Sequence, residues 1–171
     1  MVEPKSRKTI ITIEYPEICS EWDYAKNNGL TPEMFSAGSN REVWWVCNNG
    51  HEWKTSIAKR IKRGQGCPFC SGHRVKEGFN DLTTINPSIA AEWHPKKNGE
   101  LYPTMVTAGS NKKVWWLCSK CGFEWEAKVV NRTNGRGCPS CGAKKRVSNY
   151  RATISSKRGT LEELAPDFLS E

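Results

Sequence analysis

Residues 43–70 read VWWVCNNGHEWKTSIAKRIKRGQGCPFC, and residues 114–141 read VWWLCSKCGFEWEAKVVNRTNGRGCPSC. The second stretch contains Cys118-x2-Cys121-x16-Cys138-x2-Cys141, the spacing of a four-cysteine zinc site. A Cys-x2-Cys pair on a tight turn points both sulfurs at one place, and the intervening strands bring the two turns together. The first stretch lacks one of these cysteines. It offers Cys47-x3-His51-x15-Cys67-x2-Cys70, whose extra residue lets an imidazole reach the metal. Seven cysteines and His51 make eight ligands, enough for two four-coordinate Zn2+ ions. Four protein ligands leave no open coordination position, so both sites read as structural rather than catalytic.

The two stretches belong to a longer repeat. A shift of 71 residues aligns Pro16, Glu21-Trp22, Gly38-Ser39-Asn40 and Trp44-Trp45 with Pro87, Glu92-Trp93, Gly109-Ser110-Asn111 and Trp115-Trp116. A one-residue insertion places Glu52-Trp53 and Arg60 opposite Glu124-Trp125 and Arg132, and a compensating deletion restores the shift at Gly64 and Gly135. All eight tryptophans fall into four matched pairs. Leu161, Leu164, Pro166 and Phe168 repeat the spacing of Leu82, Ile85, Pro87 and Ile89, which suggests the start of a third repeat or a helical cap.

The expected fold is a pair of small α+β zinc-stapled domains. Each has a short N-terminal helix, a β-hairpin and two zinc knuckles. A helix is expected at Pro87–Trp93 with Asn86 as its N-cap, and brief helical structure at Thr31-Pro32-Glu33. Asn28-Gly29 and Asn98-Gly99 read as turns, and Val43–Cys47 and Trp53–Ile57 as hairpin strands. The implied organisation is a basic arm at 1–8, repeat one at 9–72 and a linker at 73–79. Repeat two follows at 80–142, then a basic linker at 143–159 and the partial repeat or cap at 160–171. A unit this small buries little core, so bound zinc supplies much of its folding free energy, on the order of 10 kcal/mol in finger peptides.

Composition narrows the function. The apolar runs are too short to span a bilayer, and Met1–Ile13 lacks the features of a signal peptide, so a cytoplasmic protein is expected. In a reducing compartment cysteines read as ligands before disulfides. Cys67-Pro68-Phe69-Cys70 resembles a redox motif, but its companion pair at zinc spacing and the missing βαβ pattern argue against that chemistry. Cys19 is left over on an apolar helix face and reads as a small buried hydrophobe.

The formal net charge is +8, and thiolate-bound zinc in both sites lowers it to +5. Lys54–Lys76 holds seven basic residues and Lys128–Arg158 nine, neither with an acid. Lys59, Arg60, Lys62, Arg63, Arg74, Arg132, Arg136, Lys144, Lys145 and Arg146 are the candidate phosphate contacts. The plainer alternative is a solvated charged face. Arg60 and Arg132 share a repeat position, which favours a common role, either on phosphate or packed on a tryptophan of their own repeat. Strand alternation sends Trp44 and Trp45, like Trp115 and Trp116, to opposite faces, with one of each pair in the core. His73 and His94 have no matching histidine and receive no role.

These motifs resemble a bacterial and phage family known as the probable zinc-ribbon domain, often described as treble-clef-like. The matching pieces are Pro-x4-Glu-Trp, the Asn-Gly turn, Gly-Ser-Asn, Trp-Trp-x-Cys, Gly-His-Glu-Trp or Cys-Gly-x-Glu-Trp, the arginine, and Cys-Pro-x-Cys. They run from Pro16 to Cys70 and from Gly78 to Cys141, while the Gly-x-Asn-Asp-Leu lead is absent before repeat one. The resemblance implies tandem modules that accompany very-short-patch-repair-like endonuclease domains. By analogy it implies a nucleic-acid-binding role, DNA before RNA, as a targeting or accessory part of a nuclease, a larger complex, or a defence or anti-defence system. The competing expectation is an adaptor or inhibitor that grips an acidic protein surface. A third is a fragment of an enzyme whose catalytic domain lies beyond Glu171.

Overall fold

A computed structural model of the chain describes the backbone of residues 10–164 and the side chains of residues 10–158. The expected arm at 1–8, and Pro166 and Phe168 of the partial third repeat, lie outside the described residues, as do the side chains of Leu161 and Leu164. The chain divides into two compact units between Lys76 and Glu77, within the stretch read as a linker.

Each repeat opens with two single-turn helices: α1 (Ile11–Glu14) and α2 (Pro16–Cys19) in the first, α4 (Leu82–Ile85) and α5 (Pro87–Ala90) in the second. The break comes from the proline. Its ring drives the preceding residue out of the α region, and Tyr15 (φ −140°, ψ 54°) and Asn86 (φ −138°, ψ 68°) comply. Asn86 is the N-cap residue, but it caps with its backbone carbonyl, which accepts from Ile89 and Ala90. The helix expected to reach Trp93 stops at Ala90, because Glu92 and His94 bond instead to the hairpin. Leu117 N–H donates to the Glu92 carbonyl at 2.7 Å, and His94 N–H donates to the Trp115 carbonyl at 3.0 Å. Asp81, on the Gly78–Leu82 lead, caps α4 by accepting from Thr84 N–H (3.0 Å), Gly78 N–H (2.7 Å) and the Thr84 hydroxyl (2.6 Å). Ile10 stands at the same place in repeat one and offers no such cap.

A short 3₁₀ turn follows in each copy, Pro32–Met34 and Pro103–Met105. Then come the antiparallel hairpins, β1 (Glu42–Val46) with β2 (Glu52–Ser56), and β3 (Lys113–Leu117) with β4 (Glu124–Lys128). Trp45 sits opposite Trp53, and Trp116 opposite Trp125. Alternation along the strands buries Trp45 and Trp116 fully, and both indole N–H groups donate to backbone carbonyls, of Thr55 and Ala127. Trp22 and Trp93 meet them edge-on at 5.3 and 5.4 Å between ring centroids. Trp44 and Trp115 face the other way, half-buried beneath Lys26 and Lys97.

Each second strand runs straight into a helix that the sequence reading did not foresee, α3 (Ile57–Ile61) and α6 (Val129–Thr133). Ser56 caps α3 by accepting from Lys59 N–H, which turns the expected last strand residue, Ile57, into the first helical one. The two knuckles then diverge. After Cys70 the chain turns, with Gly72 at φ +74°, whereas Cys141 lies in the first turn of the long α7 (Pro139–Leu164). The stretch 143–159, read as a linker, is therefore helical. No helix among the described residues is long and apolar enough to cross a membrane.

Candidate metal centres and the cations around them

The hairpin knuckle and the later Cys-Pro-x-Cys converge in each repeat. Cys47, His51, Cys67 and Cys70 form one cluster, and Cys118, Cys121, Cys138 and Cys141 the other. Within each, the four ligand atoms lie within 4.8 Å of one another. A tetrahedral ion with Zn–S near 2.3 Å and Zn–N near 2.05 Å requires S···S edges of about 3.8 Å and N···S edges of about 3.6 Å. The clusters supply Cys118–Cys141 at 3.8 Å, Cys121–Cys138 at 3.7 Å and Cys47–Cys70 at 3.7 Å. His51 Nδ1 lies 3.6 Å from Cys67 Sγ and 3.3 Å from Cys70 Sγ. Donor chemistry and edge lengths fit two structural zinc ions, the first held by three thiolates and an imidazole, the second by four thiolates.

The histidine does not replace the cysteine position for position. Cys47 N–H donates to the His51 carbonyl, and Cys118 N–H to that of Phe123, so His51 matches Phe123. Gly50 (φ +70°) matches Gly122 (φ +67°), both in the left-handed region that closes the knuckle. Asn49 therefore stands where repeat two has Cys121, and its Nδ2 donates to Cys70 Sγ at 3.3 Å. The ligand has moved two residues along the chain, and the longer imidazole reaches back across the glycine.

The protonation chemistry suits metal capture. Burial, then the Lys76 charge, lowers the pKa of His51, which favours the neutral ring that ligates metal. The Phe123 backbone N–H, followed by the Cys141 thiol, brings Cys121 down to about 7, while its neighbours hold Cys141 up at about 12. Without metal, one thiolate forms readily and opposes the next. Bound zinc, held by these four side chains, would offset that opposition and favour the deprotonated thiols. Burial raises the pKa of the leftover Cys19, which packs half-buried against the first core, as expected of a small hydrophobe.

The cations fall into two groups. Arg60 and Arg132 turn inward. Arg60 donates through Nε and an Nη to Glu21 Oε2 at 2.9 and 2.7 Å. Arg132 is 8% exposed, pairs with Glu92, and donates to the Arg136 carbonyl. Its guanidinium lies 5.4 Å from the Trp116 centroid and 5.2 Å from that of Trp125. These arginines fasten the Glu-Trp opening of each repeat to the helix after its hairpin, so for Arg132 the tryptophan-packing alternative describes what is found. Arg74 lies over Phe69 at 5.2 Å. By contrast, Lys59, Lys62, Arg63, Arg136, Lys144, Lys145 and Arg146 pair with no carboxylate among the described residues. His73 lies 2.9 Å from the Ser71 hydroxyl.

Three structural residues escaped the sequence reading. Asn27 and Asn98 are true counterparts, each bridging the edge of the first strand. Asn27 bonds the Trp44 carbonyl and N–H at 2.9 and 2.8 Å, and Asn98 those of Trp115 at the same distances. The residues that follow them, Asn28 (φ +47°) and Gly99 (φ +58°), are both left-handed, and in repeat one Gly29 (φ +81°) is left-handed as well. His94 is buried. Its Nδ1 accepts from Lys96 and Lys97 N–H at 3.1 Å each, and its Nε2–H donates to Glu124 at 3.0 Å. Asp23 holds this position in repeat one and accepts from Lys26 N–H at 2.9 Å. The shift of 71 aligns His94 with Asp23, and accepting a hydrogen bond from a following backbone N–H is a role both side chains can fill.

In comparisons with known proteins, a family described as the probable treble clef zinc finger domain matches residues 18–73 and again 89–144. No curated protein matches the chain.

Proposed function

We propose, from the premise that this chain belongs to the probable treble clef zinc finger domain family, that it is a non-catalytic zinc-stapled module that binds nucleic acid, DNA before RNA. The observation that carries this reading is the clustering of basic residues, without acids in the same stretches, around the second knuckle of each repeat. On the hairpins and their flanks several cations are neutralised, Lys26 by Glu52, Lys97 by Glu124 and Lys113 by Glu126, while Arg41, Lys112 and Lys128 pair with no carboxylate among the described residues. Around the second knuckle of each repeat stand cations that have no carboxylate partner among the described residues. Lys59, Lys62 and Arg63 precede one Cys-Pro-x-Cys. Arg136, Lys144, Lys145 and Arg146 surround the other. Unpaired cations clustered without acids provide the charge that phosphates need, and such contacts position a module without specifying sequence. Both metal sites have four protein ligands, so neither offers zinc a position for substrate.

The test is affinity for short duplex and single-stranded DNA across a salt series. The reading expects log K to fall linearly with log salt, by about 0.9 per phosphate contact on duplex. Absence of binding at low salt, or binding without a slope, would refute it. A second reading, a protein adaptor, draws support from Met34 and Met105. They hold the same repeat position and are 61% and 49% exposed, with no core role. Capture of a partner from nuclease-treated lysate that survives high salt would favour it.

A further inference from the structure

Helix α7 leaves its repeat after Gly142, and every side chain described from Ala143 to Arg158 is exposed. Its length is unexplained by the zinc site, which uses only Cys138 and Cys141 at its beginning. Between Lys128 and Thr160 the chain holds nine cations and no acid. At about 100° per residue, these cations sort into rows. Lys144, Arg151 and Arg158 recur every seventh residue along one side. Arg146 and Lys157 lie on the other. Between the rows runs an apolar stripe at helical spacing, Val147, Tyr150 and Ile154, which are 52%, 68% and 48% exposed.

We infer that α7 is a groove-reading element, which lies in the major groove of duplex DNA with the Val147–Tyr150–Ile154 stripe toward the bases and its two basic rows on the flanking phosphate strands. The inference rests on the nucleic-acid reading above and names its site and its form of ligand. Charge selects the occupant. A second copy would set basic rows against basic rows around the seam, where Lys157 already interrupts the apolar spacing. A polyanion with two charged edges and a less charged floor matches the pattern. The major groove is about 12 Å wide and admits one α-helix. Cations seven residues apart rise about 10.5 Å along the helix, the height of about three base pairs. Apolar side chains on the inner face suit thymine methyl groups.

The full zinc-loaded chain is compared with two variants, Lys144→Gln/Arg151→Gln/Arg158→Gln and Tyr150→Ala, on a 16-base-pair duplex and on either strand alone. All four side chains are exposed, so zinc content and helicity should be retained and are measured as controls. The triple variant should bind duplex about 10- to 100-fold more weakly near 0.1 M salt, with a salt slope smaller by about 2.7. Tyr150→Ala should weaken duplex binding with the slope unchanged, and the wild type's preference for duplex over single strand should shrink in both. Wild-type salt-dependent binding that neither variant alters would overturn the inference and leave the nucleic-acid reading standing. So would equal losses on duplex and single strand. Wild-type binding to an acidic peptide but to no DNA would overturn both.

Discussion

Replacing Arg132 by methionine separates an inward-facing arginine from a phosphate contact. The side chains of Arg132 and Glu92 are 9% and 14% exposed, and the guanidinium lies near the Trp116 and Trp125 rings. Methionine restores much of the volume but leaves the Glu92 carboxylate without its cation. Breaking a fully buried pair costs about 3–5 kcal/mol. Glu92 keeps some access to water and a hydrogen bond from the Ser119 hydroxyl at 2.9 Å, so the expected loss is about 2–3 kcal/mol. That is roughly a 30- to 150-fold fall in the ratio of folded to unfolded chain. The matching Arg60→Met should cost less, about 1–2 kcal/mol, because Arg60 and Glu21 are 14% and 25% exposed. Adding Glu92→Gln to Arg132→Met should recover part of the loss, since no carboxylate is then stranded. Denaturant unfolding of the zinc-loaded chain, followed by tryptophan fluorescence, measures all of these. DNA affinity per folded molecule should hardly change. An unchanged unfolding midpoint with a large loss of DNA binding would refute the inward placement of this arginine.

The metal centres and the helix caps are open to equally direct tests. The chain should bind two zinc ions by metal analysis, His51→Ala should bind one tightly, and Cys118→Ala should leave only the histidine-containing site of repeat one intact. His94→Asp should be tolerated, because Asp23 performs the same turn-capping in repeat one, whereas His94→Ala leaves two backbone N–H groups without their acceptor and should cost about 1–3 kcal/mol in denaturant unfolding. Asp81→Ala removes the cap of α4 and should cost about 1–2 kcal/mol. Hydrogen bonds from Thr84 and Gly78 outweigh burial and hold the Asp81 pKa below its usual value. The carboxylate's contribution is thus fully present above about pH 5 and is lost as pH falls through the depressed value. The Asp81→Ala penalty should therefore be constant from pH 8 to 6.

The internal repeat could have misled as easily as it informed. Counting ligands treats His51 as a stand-in for Cys121, whereas the register of Glu52-Trp53 with Glu124-Trp125 and the backbone hydrogen bonds both place it opposite Phe123. The two Asn-Gly dipeptides, Asn28-Gly29 and Asn98-Gly99, look like matching turns, but the shift of 71 pairs Asn27 with Asn98, and these are the bridging residues. Insertions shift a knuckle by one residue without moving its metal, because the ligand atoms, not the Cα positions, must converge.

By itself the sequence determined the zinc centres, the hairpins and the inward tryptophans. Those features depend on spacing along a few residues: two ligands per tight turn, and two faces per strand. Tertiary structure alone decided the roles of Arg60 and Arg132, whose carboxylate partners lie 39 and 40 residues away. It also decided the acceptor role of His94 and the helical path of residues 143–158. Charge can be counted from a sequence, but whether a cation is paired depends on which distant segment folds against it. That distinction removes Arg60 and Arg132 from the candidate phosphate contacts and leaves Arg136, Lys144, Lys145 and Arg146 among them.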